Sequence, residues 1–179
     1  MLQCQSHMVQ SINDLIASVP DAIDSIEKSG FITSGTLSSL NGLPKRIKGS
    51  LIVDNNFLTD LEGCPDYIDG CLSISGNEIV SLKYVSKEME FLSVLRNPLI
   101  DVSDIYESNI CALYEYDIYI TFNDNLAILP LIKFKTFVYD ISDDINLLLD
   151  RADGCKDSII DFQLKMIEYG FERNARWKP

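Results

Sequence analysis

Cysteines, a single histidine and clustered carboxylates are the groups through which this chain could do chemistry. The five cysteines, Cys4, Cys64, Cys71, Cys111 and Cys155, are scattered along it, and the one histidine is His7. A zinc site needs four Cys or His donors in closely spaced pairs, and a serine or cysteine nucleophile needs a base to take its proton. Cys64 and Cys71 lie seven apart in the stretch LTDLEGCPDYIDGCLSISGN, which is no zinc-ligand spacing. With His7 near the N-terminus, the body of the chain has no histidine to complete a metal set or serve a nucleophile. The phosphate-binding pattern G-x-x-x-x-G-K-S/T, the dinucleotide turn G-x-G-x-x-G and the nucleophile elbow G-x-S-x-G are all missing. Carboxylate pairs can act as acid and base, and DISDD gathers several. That run lacks the order of a calcium loop and alternates with apolar positions, as a solvated rim does. The expectation is a non-enzyme with no catalytic residues, metal or cofactor.

Charge narrows the partners. Asp and Glu number 27 against 15 Lys and Arg, a net charge of −12 and a pI near 4.4. Such a field repels nucleic-acid phosphates and anionic lipid heads, so a protein partner, basic in character, is expected rather than direct nucleic-acid binding. The plainer reading is that the acid keeps the protein soluble. No apolar run nears the roughly 18 residues of a membrane span, and the N-terminus lacks a basic region followed by an apolar stretch. With an odd number of scattered cysteines, this predicts reduced thiols, no membrane association and a cytoplasmic location.

The elements that position these residues come from a repeat. LSSLNGLPKRIKGSLIVDNN (37–56) aligns with LTDLEGCPDYIDGCLSISGN (58–77) at a shift of 21. Leu37, Leu40, Gly42, Pro44, Ile47, Gly49, Leu51, Val53 and Asn56 meet Leu58, Leu61, Gly63, Pro65, Ile68, Gly70, Leu72, Ile74 and Asn77. A third unit carries Ile79, Leu82, Val85, Met89, Leu92, Val94 and Asn97, and a fourth runs from Leu99 and Val102 to Ile118, Ile120 and Asn123. A degenerate fifth has Leu126, Leu129 and Pro130, then Phe134, Phe137, Tyr139 and Ser142, with Ile145 and Leu148 repeating Leu126 and Leu129. Alternation in LIV and LSI puts Leu51/Val53 and Leu72/Ile74 on one face of a short strand. Such a strand cannot bury that face alone, but stacked copies pair in parallel over one continuous core. Asparagines 56, 77, 97 and 123 follow each strand, where an amide can bond to turn and neighbouring backbone. Gly49 and Gly70 suit a tight entry to the strand, and Pro44 and Pro65 an irregular or extended return rather than a helix. Cys64 occupies the place of Leu43 and Val85, a buried apolar position. Cys71 occupies that of Ser50 and Phe91, on the outward side.

The pattern from Leu37 to Leu149 resembles the leucine-rich-repeat family, and its L-x-x-L-x-G-x-P units are similar to those of small proteins of tailed bacteriophages. The resemblance implies an α/β solenoid, a leucine-rich-repeat-like stack of about five coils with a parallel sheet and helical caps at both ends. Residues 1–30 would form the N-terminal helical cap, 31–150 the solenoid, and 151–179 a cap helix and tail, all in a single domain. It further implies a protein-interaction module, a phage-encoded modulator or inhibitor of a host protein acting in the bacterial cytoplasm. An acidic immunity protein or DNA-mimic inhibitor of a nucleic-acid-binding protein is the alternative that the charge suggests.

At the ends, Met8, Ile12, Leu15 and Ile16 have helical spacing, and SVPDAIDSIEKSG reads as a second helix with Ser18 as N-cap, Pro20 early and Gly30 as stop. Residues 103–116 suggest a short helix and a tyrosine cluster of Tyr106, Tyr114, Tyr116 and Tyr119. The C-terminal helix starts at Asp157 or Ser158 and stops at Gly170, ahead of a basic tail with Trp177. It carries two apolar stripes, Ile160/Leu164/Ile167 and Ile159/Phe162/Met166/Tyr169, and so two packing partners. Two partner sites follow. One is the outward sheet face of Ile52, Asp54, Ser73, Ser75, Ser93, Leu95, Tyr119 and Thr121, the usual partner face in the family resembled. The other is the cap-helix stripe of Phe162, Met166 and Tyr169, through which a homodimer could also form.

Overall fold

A computed structural model describes residues 2–3, 12–14, 21–32, 35–110, 116–140, 146 and 156–176. Cys4, His7, Met8, Leu15, Ile16, Ser18, Pro20, Cys111, Tyr114, Ser142, Ile145, Leu148, Cys155 and Trp177, singled out above, lie outside the described residues. So do the side chains of Asp157 and Ser158.

The fold is α/β, with two wholly parallel sheets whose strands alternate along the chain. The larger joins β1 (Leu2–Gln3), β2 (Phe31–Ile32), β4 (Leu51–Ile52), β6 (Cys71–Ser73), β8 (Phe91–Val94), β10 (Ile118–Thr121) and β11 (Thr136–Tyr139), in that order. The smaller joins β3 (Arg46–Ile47), β5 (Tyr67–Ile68), β7 (Glu88–Met89) and β9 (Asn109–Ile110). Register in the larger sheet follows the repeat. Phe31, Leu51, Leu72, Leu92 and Ile118 lie opposite one another in turn, as do Val94 and Ile120. All five residues of the first row are buried, and the core extends through Leu37, Leu40, Val53, Leu58, Leu61, Ile74, Ile79, Leu82, Val94, Leu99, Val102 and Ile120. A two-residue strand holds one inward side chain, so its apolar surface is removed from water only by the copies on either side.

The asparagines bind these passes together. Asn56 Oδ1 accepts from the Leu37 amide (2.9 Å), and its Nδ2 donates to the Val53 carbonyl (2.9 Å). Asn77 accepts from Leu58 and donates to Val53 and Ile74. Asn97 accepts from Ile79 and donates to Ile74 and Val94. Asn123 continues with a 2.6 Å bond to the Leu99 carbonyl. A second ladder runs near the smaller sheet, where the buried Ser86 hydroxyl donates to the Pro65 carbonyl (2.6 Å) and that of Ser108 to the Ser86 carbonyl (2.8 Å). Gly49 shows why the strand entry is glycine: a Cβ there would lie 2.5 Å from the Ser29 carbonyl oxygen.

Three features depart from the sequence reading. The first thirty residues contribute β1 to the sheet beside helix α1 (Ala22–Ser29), because a two-residue strand is too short to show alternation. Asp21 is the N-cap residue of α1, and Gly30, with φ 85°, closes it by donating to the Ile26 carbonyl. The return segments, expected to be irregular or extended, hold two-residue strands that also pair with one another as the smaller sheet, a pairing the sequence does not announce. In the fifth unit the register moves by one: Thr136 and Val138 point inward, opposite Ile118 and Ile120, while Phe137 and Tyr139 face outward. Thr136 tolerates full burial because its hydroxyl has the Leu131 and Phe134 carbonyls within reach (3.4 Å each). Residues 103–107 form a single 3-10 turn before β9.

Leu72→Ala removes a buried side chain flanked by Leu51 and Leu92. Urea denaturation should show a loss of about 2–5 kcal/mol, and a loss under about 1 kcal/mol would place Leu72 outside the core. Asn77→Ala leaves the Leu58 amide without its side-chain partner, while the Val53 and Ile74 carbonyls keep the carboxamides of Asn56 and Asn97. With one buried group left unpaired, it should cost about 1–3 kcal/mol by the same measurement.

Candidate interaction surface

The outward face of the larger sheet is built by strand alternation. Between the buried positions, β4, β6, β8, β10 and β11 turn Ile52, Ser73, Ser93, Tyr119 and Phe137 outward, each in register with the next. Beside this row run Cys71 and Phe91 on one side, and Asp54, Ser75, Leu95, Thr121 and Tyr139 on the other. The expected sheet-face residues therefore do share one face, and all are half-buried except Ser75, which is buried.

The two ends of that face differ. Towards the N-terminus its polar groups are tied to one another across strands. Asp54 Oδ1 accepts from the Ser73 hydroxyl (2.7 Å) and the Ser75 amide (2.8 Å). The Ser75 and Ser93 hydroxyls are 2.9 Å apart, and the Leu95 amide donates to Ser75 Oγ. Thr121 Oγ1 accepts from the Arg96 amide. These residues act as inter-strand links first, with little hydrogen-bonding capacity left over for a partner.

Towards the C-terminus the face becomes aromatic. Tyr119 lies 5.2 Å from Phe91, 5.8 Å from Tyr116 and 6.0 Å from Phe137, and Phe137 lies 5.2 Å from Tyr116 and 4.9 Å from Tyr139. Most of these pairs are edge-to-face, the arrangement that ring quadrupoles favour. Tyr139 is 43% exposed and opens the cluster to solvent. Sequence reasoning identified Tyr119 but placed Phe137 and Tyr139 in the core. The missing signal was Thr136, whose β-branched side chain fits the inward position.

On the C-terminal helix α2 (Lys156–Glu168) the stripes are reversed relative to the second expected site. Phe162 and Met166 are buried in the core, with Ile159 half-buried beside them, and of that proposed contact only Tyr169 is exposed. The open stripe is Ile160, Leu164 and Ile167, with Leu164 60% exposed. Periodicity finds two stripes but not the helix rotation. The rotation goes with the burial of Phe162 and Met166 in the core and with the tail turning back, where Gln163 Nε2 donates to the Ala175 carbonyl (2.9 Å).

Cys64 and Cys71 are thiols. The Cys64 residue keeps some exposure, but its sulfur is desolvated, which pushes the thiol up to about 11 against the downward pull of its 3.4 Å contact with the Ser86 hydroxyl. A buried neutral thiol is no nucleophile at neutral pH. Among the described residues, no three His, Cys, Asp or Glu side chains are grouped to hold a metal ion, and no helix is long and apolar enough to cross a membrane. Comparison with protein-family models, with curated proteins and with solved structures finds no match.

The Cys64 thiol yields a test by peptide mapping. At pH 8 iodoacetamide should alkylate Cys64 at least several-fold more slowly (~10-fold) in the folded protein than in denaturant, since burial pushes the thiol up to about 11 and cuts its thiolate fraction more than the higher basicity of that thiolate restores. The unfolded chain releases this proton first, so the thiol's contribution to stability is complete below pH 9 and is lost as pH rises towards 11.

Proposed function

We propose that this chain is a leucine-rich-repeat-like solenoid of about five coils that works as a non-catalytic protein-interaction module. Its partner contact is the aromatic end of the outward sheet face, centred on Tyr119 and Phe137. The in-register parallel strands and the asparagine ladder support the solenoid reading. The observation that carries the contact is the cluster of Phe91, Tyr116, Tyr119, Phe137 and Tyr139, gathered on a sheet face and opening to solvent at Tyr139. Buried aromatic anchors dominate protein interfaces because each removes a large rigid area from water at little entropic cost. The net charge of −12 favours a basic partner by steering its approach. The biological setting we propose is that of a phage-encoded modulator or inhibitor of a host protein in the bacterial cytoplasm. The helix stripe Ile160/Leu164/Ile167 is the surface left for a second contact, a second copy of the chain included.

Affinity purification of the tagged protein from bacterial lysate, with mass spectrometry at low and high salt, tests this. A partner held by the wild type should be lost on Tyr119→Ala with Phe137→Ala, a pair expected to cost about 2 kcal/mol or more of binding. The rings are a cleaner target than Ser73 and Ser93, whose replacement would break inter-strand bonds. Retention at high salt fits an apolar contact. Release at high salt with no effect of the ring changes would favour an acidic immunity protein or DNA mimic. Loss with Leu164→Asp and Ile167→Asp alone would move the contact to the helix.

A further inference from the structure

Arg173 and Arg176 occupy an unusual position in so acidic a chain. The tail after α2 is fastened to the last part of the fold. Gly170, with φ 85°, turns the chain, and Phe171 packs edge-on against Phe122 with ring centres 5.3 Å apart. The buried Asn174 then donates to the carbonyls of Asn123 (3.1 Å) and Leu126 (2.7 Å), while its own carbonyl accepts from the Ile128 amide (3.1 Å). This clamp brings both arginines to one cleft of about 290 Å³, which Ile100, Asp101, Asn125 and Pro130 also line. The chain holds 27 carboxylates, yet neither guanidinium forms an ion pair among the described residues. Asp101 faces the same cleft. Its Oδ1 is engaged by the amide and hydroxyl of Ser103 (2.9 and 2.7 Å), which leaves Oδ2 as an acceptor.

We propose that this cleft binds a small, hydroxyl-bearing phosphate monoester of sugar-phosphate size. Two guanidinium forks carried on a clamped stretch of backbone offer paired donors that match the oxygens of a phosphate. Asp101 Oδ2 accepts a ligand hydroxyl, and the half-exposed Ile100 with Pro130 gives its carbon skeleton an apolar wall. The cleft lies at the lower end of the roughly 300–1,000 Å³ of small-molecule sites, so a sugar phosphate suits it better than a dinucleotide. The overall charge of −12 opposes a polyanion, which would extend beyond the arginines, far more than it opposes a single phosphate. The site stands apart from the aromatic sheet face and does not depend on that reading.

Isothermal titration calorimetry of the full chain at low salt tests it, with ribose 5-phosphate, ribose and inorganic phosphate as probes. Ribose 5-phosphate should bind more tightly than inorganic phosphate, and ribose should not bind. Arg173→Gln with Arg176→Gln should weaken ribose 5-phosphate by about tenfold or more, the loss expected for charge-assisted hydrogen bonds. Thermal melting should show the fold intact, since Asn174 rather than the arginines makes the clamp. If the double variant melts early, Arg176→Gln alone carries the same comparison. No binding of ribose 5-phosphate to the wild type, or equal affinity in a folded variant, would overturn the proposal. Equal affinity for ribose 5-phosphate and inorganic phosphate would reduce the site to an adventitious ion only. Binding of a phosphoserine peptide without ribose 5-phosphate would replace it with a protein contact.

Discussion

A buried carboxamide after each of β4, β6 and β8 holds one pass of the chain to the next. Asn77 is typical: it is almost fully buried, its oxygen accepts from the Leu58 amide, and its nitrogen donates to the Val53 and Ile74 carbonyls. Those groups lie at turns, where no regular ladder would satisfy them, and each would be costly to bury unpaired. A carboxamide supplies an acceptor and two donors from one short side chain. Asn56, Asn77 and Asn97 satisfy these turn groups where the leucine rows beneath close over the core. No buried side-chain nitrogen or oxygen among the described residues lacks a partner, so the core carries no unpaired polar side chain there.

That constraint propagates to the surface. Because the amides and the glycine entries fix the register, alternation decides which residues face outward on every strand. On the first strands those residues are Ile52, Ser73 and Ser93, and on the last they are Tyr119 and Phe137. The face thus grades from hydroxyls bonded to neighbouring strands into a group of rings. The same kind of amide recurs at the end of the molecule. Asn174 reaches from the tail to the carbonyls of Asn123 and Leu126, doing for the tail what Asn97 does between passes. The proposed partner surface and the proposed anion cleft thereby rest on one type of bond.

The chemistry of the chain follows from the same packing. Cys64 sits in a leucine's place, under a serine hydroxyl, and its environment favours the thiol. Ser86 takes the repeat position of Pro44 and Pro65 and exchanges a rigid ring for a hydroxyl that bonds to the previous pass. Cys64 is thus the packing residue that its alignment with Leu43 and Val85 implies, and a small polar residue such as Ser86 is an inter-strand link.

The sequence by itself determined the repeat, the inward rows from Leu37 to Ile120, the asparagine positions and the sharing of one face by Ile52, Ser73, Ser93 and Tyr119. These depend on short-range periodicity, which side-chain alternation writes directly into the order of residues. The rest only the tertiary structure decided. The smaller sheet and β1 consist of two-residue strands, too short to carry a period. The register of β11 turned on burying Thr136, made tolerable by carbonyls supplied by Leu131 and Phe134. The rotation of α2, which buries Phe162 and Met166 and leaves Leu164 open, is a matter of packing against segments distant in the chain, the folded-back tail at Gln163 among them. The meeting of Arg173 and Arg176 with Asp101 joins segments far apart in the chain, and nothing local to either encodes the contact; it exists because Asn174 finds its carbonyls on the far side of the fold.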